Sequence, residues 1–271
     1  MTAPLDAPES AQHAEPEAIA QGRRDIASRS LTQIAWRRLR QDRVALGGGI
    51  VVLLLILVAI FAPLLTHWFG HPPNQFHQDL IDPATQGVLK NPNDPWSGID
   101  PTGGMSKEHL LGVEPVNGRD LFSRIVYGAR ISLLVAFLST LLCVTIGTVL
   151  GILAGYLGGW VDTVISRAMD IFLAFPLLLF AIALAGVIPD EAFGLSDNAL
   201  RIAVLVFIIG FFSWPYIGRI VRGQTLSLRE REFVDAARAM GARAPYIIVR
   251  EILPNLVAPI LVYATLMIPT N

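Results

Sequence analysis

Glu232-Phe-Val-Asp-Ala-Ala-Arg-Ala-Met-Gly-Ala-Arg-Ala-Pro-Tyr-Ile-Ile-Val-Arg-Glu-Ile-Leu-Pro254 is a charged, helix-forming stretch held between two apolar runs. A polar segment between membrane spans is ordinarily a short, featureless loop. Here Phe233, Ala236, Ala237 and Met240 recur at i, i+3, i+4 and i+7, so they share one apolar face, small in the middle and bulky at its ends. Residues 228–240 are rich in good helix formers. Gly241 can end this helix by turning left-handed without strain, and Pro245 suits the first turn of a second helix. That helix is expected to run through Tyr246, Ile247, Ile248 and Val249 to Leu253, with Pro254 marking the return to the membrane. The segment therefore reads as a helix, a glycine turn and a helix, a folded handle on the water side. Its alanines leave a shallow surface for a soluble partner, with Asp235 as one anionic anchor. A solvated amphipathic hairpin lying on lipid has the same periodicity, which alone does not separate the two.

Working outward, 53% of the 271 residues are hydrophobic and only 16% are charged. Soluble domains carry about 25% charged residues, so composition alone makes this an integral membrane protein. The formal net charge of −1 gives no sign of nucleic-acid binding. Cys143 is the single cysteine, which excludes an intrachain disulfide and a cysteine metal cluster. The five histidines, His13, His67, His71, His77 and His109, lack HExxH spacing. His67, His71 and His77 beside a membrane end read as exposed loop histidines, and no metal site is expected.

Residues 1–30 have no apolar periodicity and are expected to be a disordered tail; they lack the apolar core and cleavage site of a signal peptide. Residues 31–67 hold an amphipathic lead and the first span, 44–65, preceded by Arg37, Arg38, Arg40 and Arg43. Gly47, Gly48 and Gly49 near its start suit a close helical neighbour. Residues 68–118 form a Pro-, Asn- and Gly-rich loop with turn signals at Pro72-Pro73 and Asn91-Pro92. The second span is 131–156, where Gly147, Gly151 and Gly155 share one face and suit close packing of another backbone. Further spans are expected at 161–188 and 200–220, joined by a short polar link at 189–198. A fifth apolar run begins at 255 and reaches the chain end at 271.

Lys and Arg set the orientation. With the N-terminus inside, 15 of the 21 fall on inside segments and 6 outside, as the positive-inside bias requires. This puts the handle, residues 228–254, in the cytoplasm and the 68–118 loop outside. Arg119, Arg124 and Arg130 fall outside, before the second span, and suggest an interfacial segment with snorkelling side chains.

Asp235-Ala-Ala-x3-Gly241-x9, followed shortly by Leu253-Pro254, resembles the EAA signature of membrane subunits of ATP-binding-cassette importers. It departs in Asp235, where Glu is usual, and in Glu251, where an aliphatic residue is common. His109-Leu-Leu-Gly-Val-Glu-Pro-Val-Asn-Gly-Arg-Asp120 and Ser123-Arg-Ile-Val-Tyr-Gly-Ala-Arg-Ile-Ser-Leu133 look like the entry to the permease domain of dipeptide and oligopeptide importers, C-type subunit. Gly158-Gly-Trp-Val-Asp162, Arg167, Asp170 and Phe175-Pro176 are similar to the same peptide/nickel branch. The resemblance covers residues 37–271. It implies an all-α membrane protein of the type I importer fold, with residues 119–271 as its transmembrane domain and a cytoplasmic EAA helix pair. Five spans are visible where the family usually has six, which suggests a trimmed chain. The resemblance also implies a second, B-type permease subunit, two cytoplasmic ATPases that use ATP and Mg, an extracytoplasmic peptide-binding protein and a bacterial inner-membrane location. The coupling role carries over to Asp235, Ala236, Ala237 and Gly241 only. No Walker A pattern occurs, so the energy must come from a partner.

Asp162, Arg167 and Asp170 lie at the cytoplasmic start of the third span, where charges need partners. Arg167 and Asp170, three apart, can pair on one helix face. The trio fits a structural ion pair at the membrane boundary, a gate or coupling contact, or a proton relay. Other functions remain in view: an importer of nickel or glutathione in the same branch, a stand-alone secondary transporter, and a membrane enzyme. The transporter lacks a second deeply placed acid and a visible inverted repeat. Against the enzyme, Ser123, Ser132 and Ser139 have no evident His and Asp partners. No substrate-binding residue can be named. The long loop, read as structureless, is expected to dock the binding protein.

Overall fold

The computed structural model describes residues 39–91, 93, 98–187, 191–192 and 195–270. The expected tail 1–30, together with Arg37, Arg38, Pro92 and part of the 189–198 link, lies outside these residues. The chain divides into two units, Met1–Leu57 and Val58–Asn271. In the first, α1 (Arg43–Ile60) opens where the Asp42 carboxylate accepts the N–H groups of Val44 and Ala45, both at 3.0 Å, as an N-cap does. Its apolar side chains point outward all round, as a lipid-facing span requires. Among the described residues, nothing lies within 4 Å of a Cβ built on Gly47, Gly48 or Gly49, so the expected close neighbour is not seen there.

The second unit begins with α2 (Ala62–Phe69). The following loop is not structureless. Isolated bridges join Ile81 to Val88, Leu89 to Ile99 and Val113 to Asp120, and Ile81, Val88 and Val113 form a small apolar core with Leu80. The bridge to Asp120 carries this loop unit up to the start of α3 (Leu121–Leu157), ten residues before the expected second span. Asp120 is fully buried and caps α3, accepting the Ser123 N–H at 2.9 Å. Arg119 and Arg124 do not snorkel: both donate to Glu114, at 2.8 and 2.5 Å. Arg130 alone of the three is exposed.

α3 packs along α6 (Asp197–Arg229), and glycine makes this possible. A Cβ on Gly147 would meet the Trp214 carbonyl oxygen at 2.8 Å. One on Gly151 would meet the Gly218 carbonyl oxygen at 2.7 Å, and one on Gly155 the Arg222 carbonyl oxygen at 2.8 Å. Both sets of numbers rise together, so the two helices run in the same direction and end on the same side.

The chain returns between them through α4 (Gly159–Ala174) and α5 (Leu177–Ala185). The expected single span 161–188 is broken here, bent by 72°. Phe175 precedes a proline, which pushes it out of the helical region, and Pro176 has no N–H to continue the ladder; Phe175 is accordingly extended. Phe172, Phe175 and Phe180 wrap the elbow around Phe212, with ring centroids 5.0–5.5 Å apart. Among the described residues, four helices are long and apolar enough to cross a membrane, five if the bent pair is one span. The polar link contains a two-stranded antiparallel ladder, β1 (Glu191–Ala192) and β2 (Leu195–Ser196).

After α6 comes α7 (Glu232–Ala239), then α8 (Ala244–Tyr246), a π-helical stretch Ile247–Ile252 and α9 (Leu253–Met267). Pro254 does not punctuate the return. It sits in the first turn of α9, and the path from Ala244 to Thr270 is continuous helix. The π-helical stretch absorbs the proline: the Leu253 N–H reaches back five residues to the Ile248 carbonyl. Asn255 Nδ2 then satisfies the Glu251 carbonyl at 2.7 Å.

Candidate coupling surface and its ionic base

The handle is built onto the membrane core. Val234 and Ala237 of α7 are buried with Ile247, Ile252 and Leu256 and, across the helix pair, with Cys143, Ile152, Ile217 and Val221. The expected apolar face is therefore corrected by one step. Ala237 points inward with Val234, which the periodicity missed. Phe233, Ala236 and Met240 point outward, and Met240 is 82% exposed. Adjoining faces of one short helix thus do different things: one anchors, the other is presented.

Gly241 holds φ +83° with nothing within 4 Å of a built Cβ. The Ala242 N–H bonds the Ala237 carbonyl at 3.0 Å and the Gly241 N–H the Arg238 carbonyl at 2.9 Å. This is a Schellman motif, so the glycine serves the turn and not a contact. Asp235 is exposed, with Arg238 at 3.2 Å. Arg238 also lies over the Tyr156 ring, 5.7 Å from its centroid, and Arg229 Nη1 donates to the Gly155 carbonyl at 3.2 Å. The handle is thereby tied to the end of α3, a link with no signal in the local sequence.

The boundary charges are paired, and the spacing showed only the weaker of the contacts. Arg167 reaches Asp170 only at 3.7 Å, and both are more than half exposed. The close partner of Asp170 is Arg219 at 2.6 Å. Asp162 takes Arg222 in a two-bonded fork and the Ser166 hydroxyl at 3.2 Å. Arg219 and Arg222 were read only as positive-inside charge. Their three-residue spacing puts them on one face of α6, but the aspartates opposite lie on another helix. Two acid–base pairs therefore stitch α4 to α6. None of the four stands as the isolated deep acid that a proton relay needs.

A groove of about 590 Å³ opens between α5, α6 and the end of α9, offering Ser213, Tyr216 and Tyr263 among aliphatic side chains. On the other side, His67 stays exposed, while His71, His77 and the buried His109 come together; the reading of the loop histidines as exposed is corrected there. Ser123 is completely buried beneath Asp120 and closed to a substrate.

Comparison with known proteins agrees along the chain. A family model for the inner membrane component of binding-protein-dependent transport systems matches residues 147–271. One for the N-terminal transmembrane domain of oligopeptide transport permease C matches residues 30–91. The dipeptide transport system permease protein DppC of Alkalihalophilus pseudofirmus is 40% identical over 232 residues, 86% of this chain and 65% of the relative. The glutathione transport system permease protein GsiD of Pectobacterium atrosepticum is 36% identical over 245 residues, 90% of this chain and 70% of the relative. GsiD of Escherichia coli is 36% identical over 236 residues, with 87% and 67% covered. The chain thus spans 65–70% of the length of these curated relatives. It belongs to the C-type permease subunits of the dipeptide/oligopeptide family of ATP-binding-cassette importers, a family of multi-pass inner-membrane proteins.

Proposed function

We propose that this chain forms one half of the translocation pathway of an ATP-driven importer of di- or oligopeptides. A second, B-type permease subunit supplies the other half. Two cytoplasmic ATPases grip the α7 handle, with Asp235, Ala236 and Gly241 on or beside the contact and Ala237 seating the helix from behind. An extracytoplasmic binding protein delivers the cargo, and the N-terminus lies in the cytoplasm. The observation that carries this reading is the two-faced α7. Its inner face is continuous with the membrane core, and its outer face of Phe233, Ala236 and Met240 is exposed among the described residues. A force applied to that outer face reaches α3, α6 and α9 without an intervening flexible joint.

The test uses Ala239, which is exposed beside the outer face. Cys143 is buried, so a cysteine at Ala239→Cys is the accessible thiol. Crosslinking in native membranes followed by mass spectrometry should capture an ATPase subunit. Capture of lipid alone by a folded protein would mean that α7 is a solvated hairpin, and would overturn the reading. A second cargo, glutathione, is favoured by the relatives that carry that name; competition between labelled dipeptide and glutathione in reconstituted vesicles decides between them.

The extracytoplasmic unit is the surface proposed to dock the binding protein. Deleting 78–104 would remove Ile81 and Val88 from its core and so confound folding with docking. Reversing the charges of the exposed Lys107 and Glu108 is the cleaner test, expected to lower uptake through the affinity for the binding protein.

A further inference from the structure

We propose that His71, His77 and His109 form a binding site for a resident divalent transition-metal ion of the zinc class in the extracytoplasmic unit. Two of the imidazoles come from the chain just after α2 and the third from residue 109, yet their ligand nitrogens all lie within 4.8 Å of one another. Their ring centroids are 4.6–5.0 Å apart. His109 is already oriented: its Nδ1 lies 3.1 Å from Oδ1 of the buried Asp120, which is itself fixed by the Ser123 N–H at 2.9 Å. A carboxylate behind a histidine fixes the ring and leaves Nε2 free as the donor, as in zinc sites generally.

The other two rings carry the second observation. His71 Nδ1 and His77 Nε2 are buried and have no hydrogen-bond partner among the described residues. Leaving such an atom unsatisfied is costly, and an ion held between the rings would satisfy both. Nitrogen donors without thiolate suit zinc, copper or nickel and disfavour calcium and magnesium. At a Zn–N distance of about 2.0–2.1 Å, tetrahedral ligands stand roughly 3.4 Å apart, so the rings need to draw in by about an ångström. A cavity of about 350 Å³ opens onto the three rings, with Asp79 and Glu108 also in its wall, leaving room for water or a carboxylate as fourth ligand. The ion would clamp the chain just after α2 to the capping residue of α3. His77 and His109 lie too far apart in sequence for spacing to have revealed the site.

The test uses the full chain, purified in detergent through a tag without histidine, stripped with chelator and titrated with Zn2+ and then Co2+. Wild type should take up one ion per chain, and the Co2+ form should show the intense visible bands of a tetrahedral site. His71→Gln and His77→Gln should each weaken binding at least tenfold, Asp120→Asn by about 10–100-fold, and His67→Gln not at all. His71 and His77 are only half-buried, so their variants remain informative even if a His109 variant does not fold. Absence of stoichiometric uptake by folded wild type overturns the proposal. So does stoichiometric uptake that His77→Gln leaves unchanged, since the ion would then be held elsewhere.

Discussion

Arg222 on α6 closes a fork on Asp162 of α4, Nε donating to Oδ1 at 2.5 Å and Nη2 to Oδ2 at 2.7 Å. The two residues are 60 apart in sequence, and their side chains are 33% and 23% exposed. Exposed pairs contribute about 0–1 kcal/mol, whereas breaking a fully buried pair costs about 3–5. This fork lies between, so Asp162→Asn should cost about 1–2 kcal/mol in unfolding of the purified protein. Arg222→Lys should cost a similar amount, because an ammonium cannot fork. The Asp170–Arg219 pair is more exposed and singly bonded, and Asp170→Asn should cost less than about 1 kcal/mol. A double-mutant cycle on each pair measures both, and equal coupling in the two cycles would contradict the ranking.

Gly241 and Ala236 separate stability from coupling. Gly241→Ala places a Cβ on a left-handed residue with open space around it, so the cost is backbone strain alone, about 1 kcal/mol. Gly241→Asn should recover part of it, since Asn tolerates that conformation better. Ala236 is exposed among the described residues, so Ala236→Leu should leave the melting temperature unchanged, while lowering the ATPase response of the assembled importer severalfold. A fall in melting temperature for Ala236→Leu would show that its face is internal.

Much of this was legible from residue patterns, because it depends on local chemistry. The glycine turn at Gly241, the stripe at Gly147, Gly151 and Gly155, and the apolar runs each depend on what lies within a few residues. What escaped depends on residues distant in the chain. Arg222 finds Asp162 only once α4 has folded back on α6. Val234 is inward and Phe233 outward because α7 lies against Ile247 and Ile252, and a helical period gives a face without saying which side is covered. Pro176 breaks its helix and Pro254 does not, although both follow apolar residues. The difference lies in the π-helical stretch before Pro254, which shifts the hydrogen-bond ladder by one residue.

The glycines of α3 give opposite outcomes for the same substitution. Gly151→Ala drives a Cβ to 2.7 Å from the Gly218 carbonyl oxygen and 2.9 Å from Val221 Cβ. Backbone cannot rotate aside as a side chain can, so α6 must shift, at about 1–3 kcal/mol. Gly128→Ala, on the same helix with nothing within 4 Å, should stabilise by about 0.5–1 kcal/mol through helix propensity. Thermal unfolding of the two variants side by side reads the sign directly. Destabilisation by both would place an unseen neighbour at Gly128.

Glu114 makes the attachment of the loop unit, residues 68–118, pH-dependent. The Arg119 hydrogen bond, with Arg124 beside it, holds the Glu114 carboxyl below the usual carboxylate range. A depressed folded pKa means that the pairing contributes stability above the ordinary glutamate value, about 4.3. That stability fades as pH falls through the folded value, when the proton releases both arginines. Protection from hydrogen exchange across 113–124, taken relative to the intrinsic rate at each pH, should therefore stay high at pH 6 and fall progressively below about pH 4. Glu114→Gln should exchange faster already at pH 6 and change less on acidification, because it has no proton left to gain. Matching pH profiles for the two proteins would assign the acid sensitivity to another carboxylate.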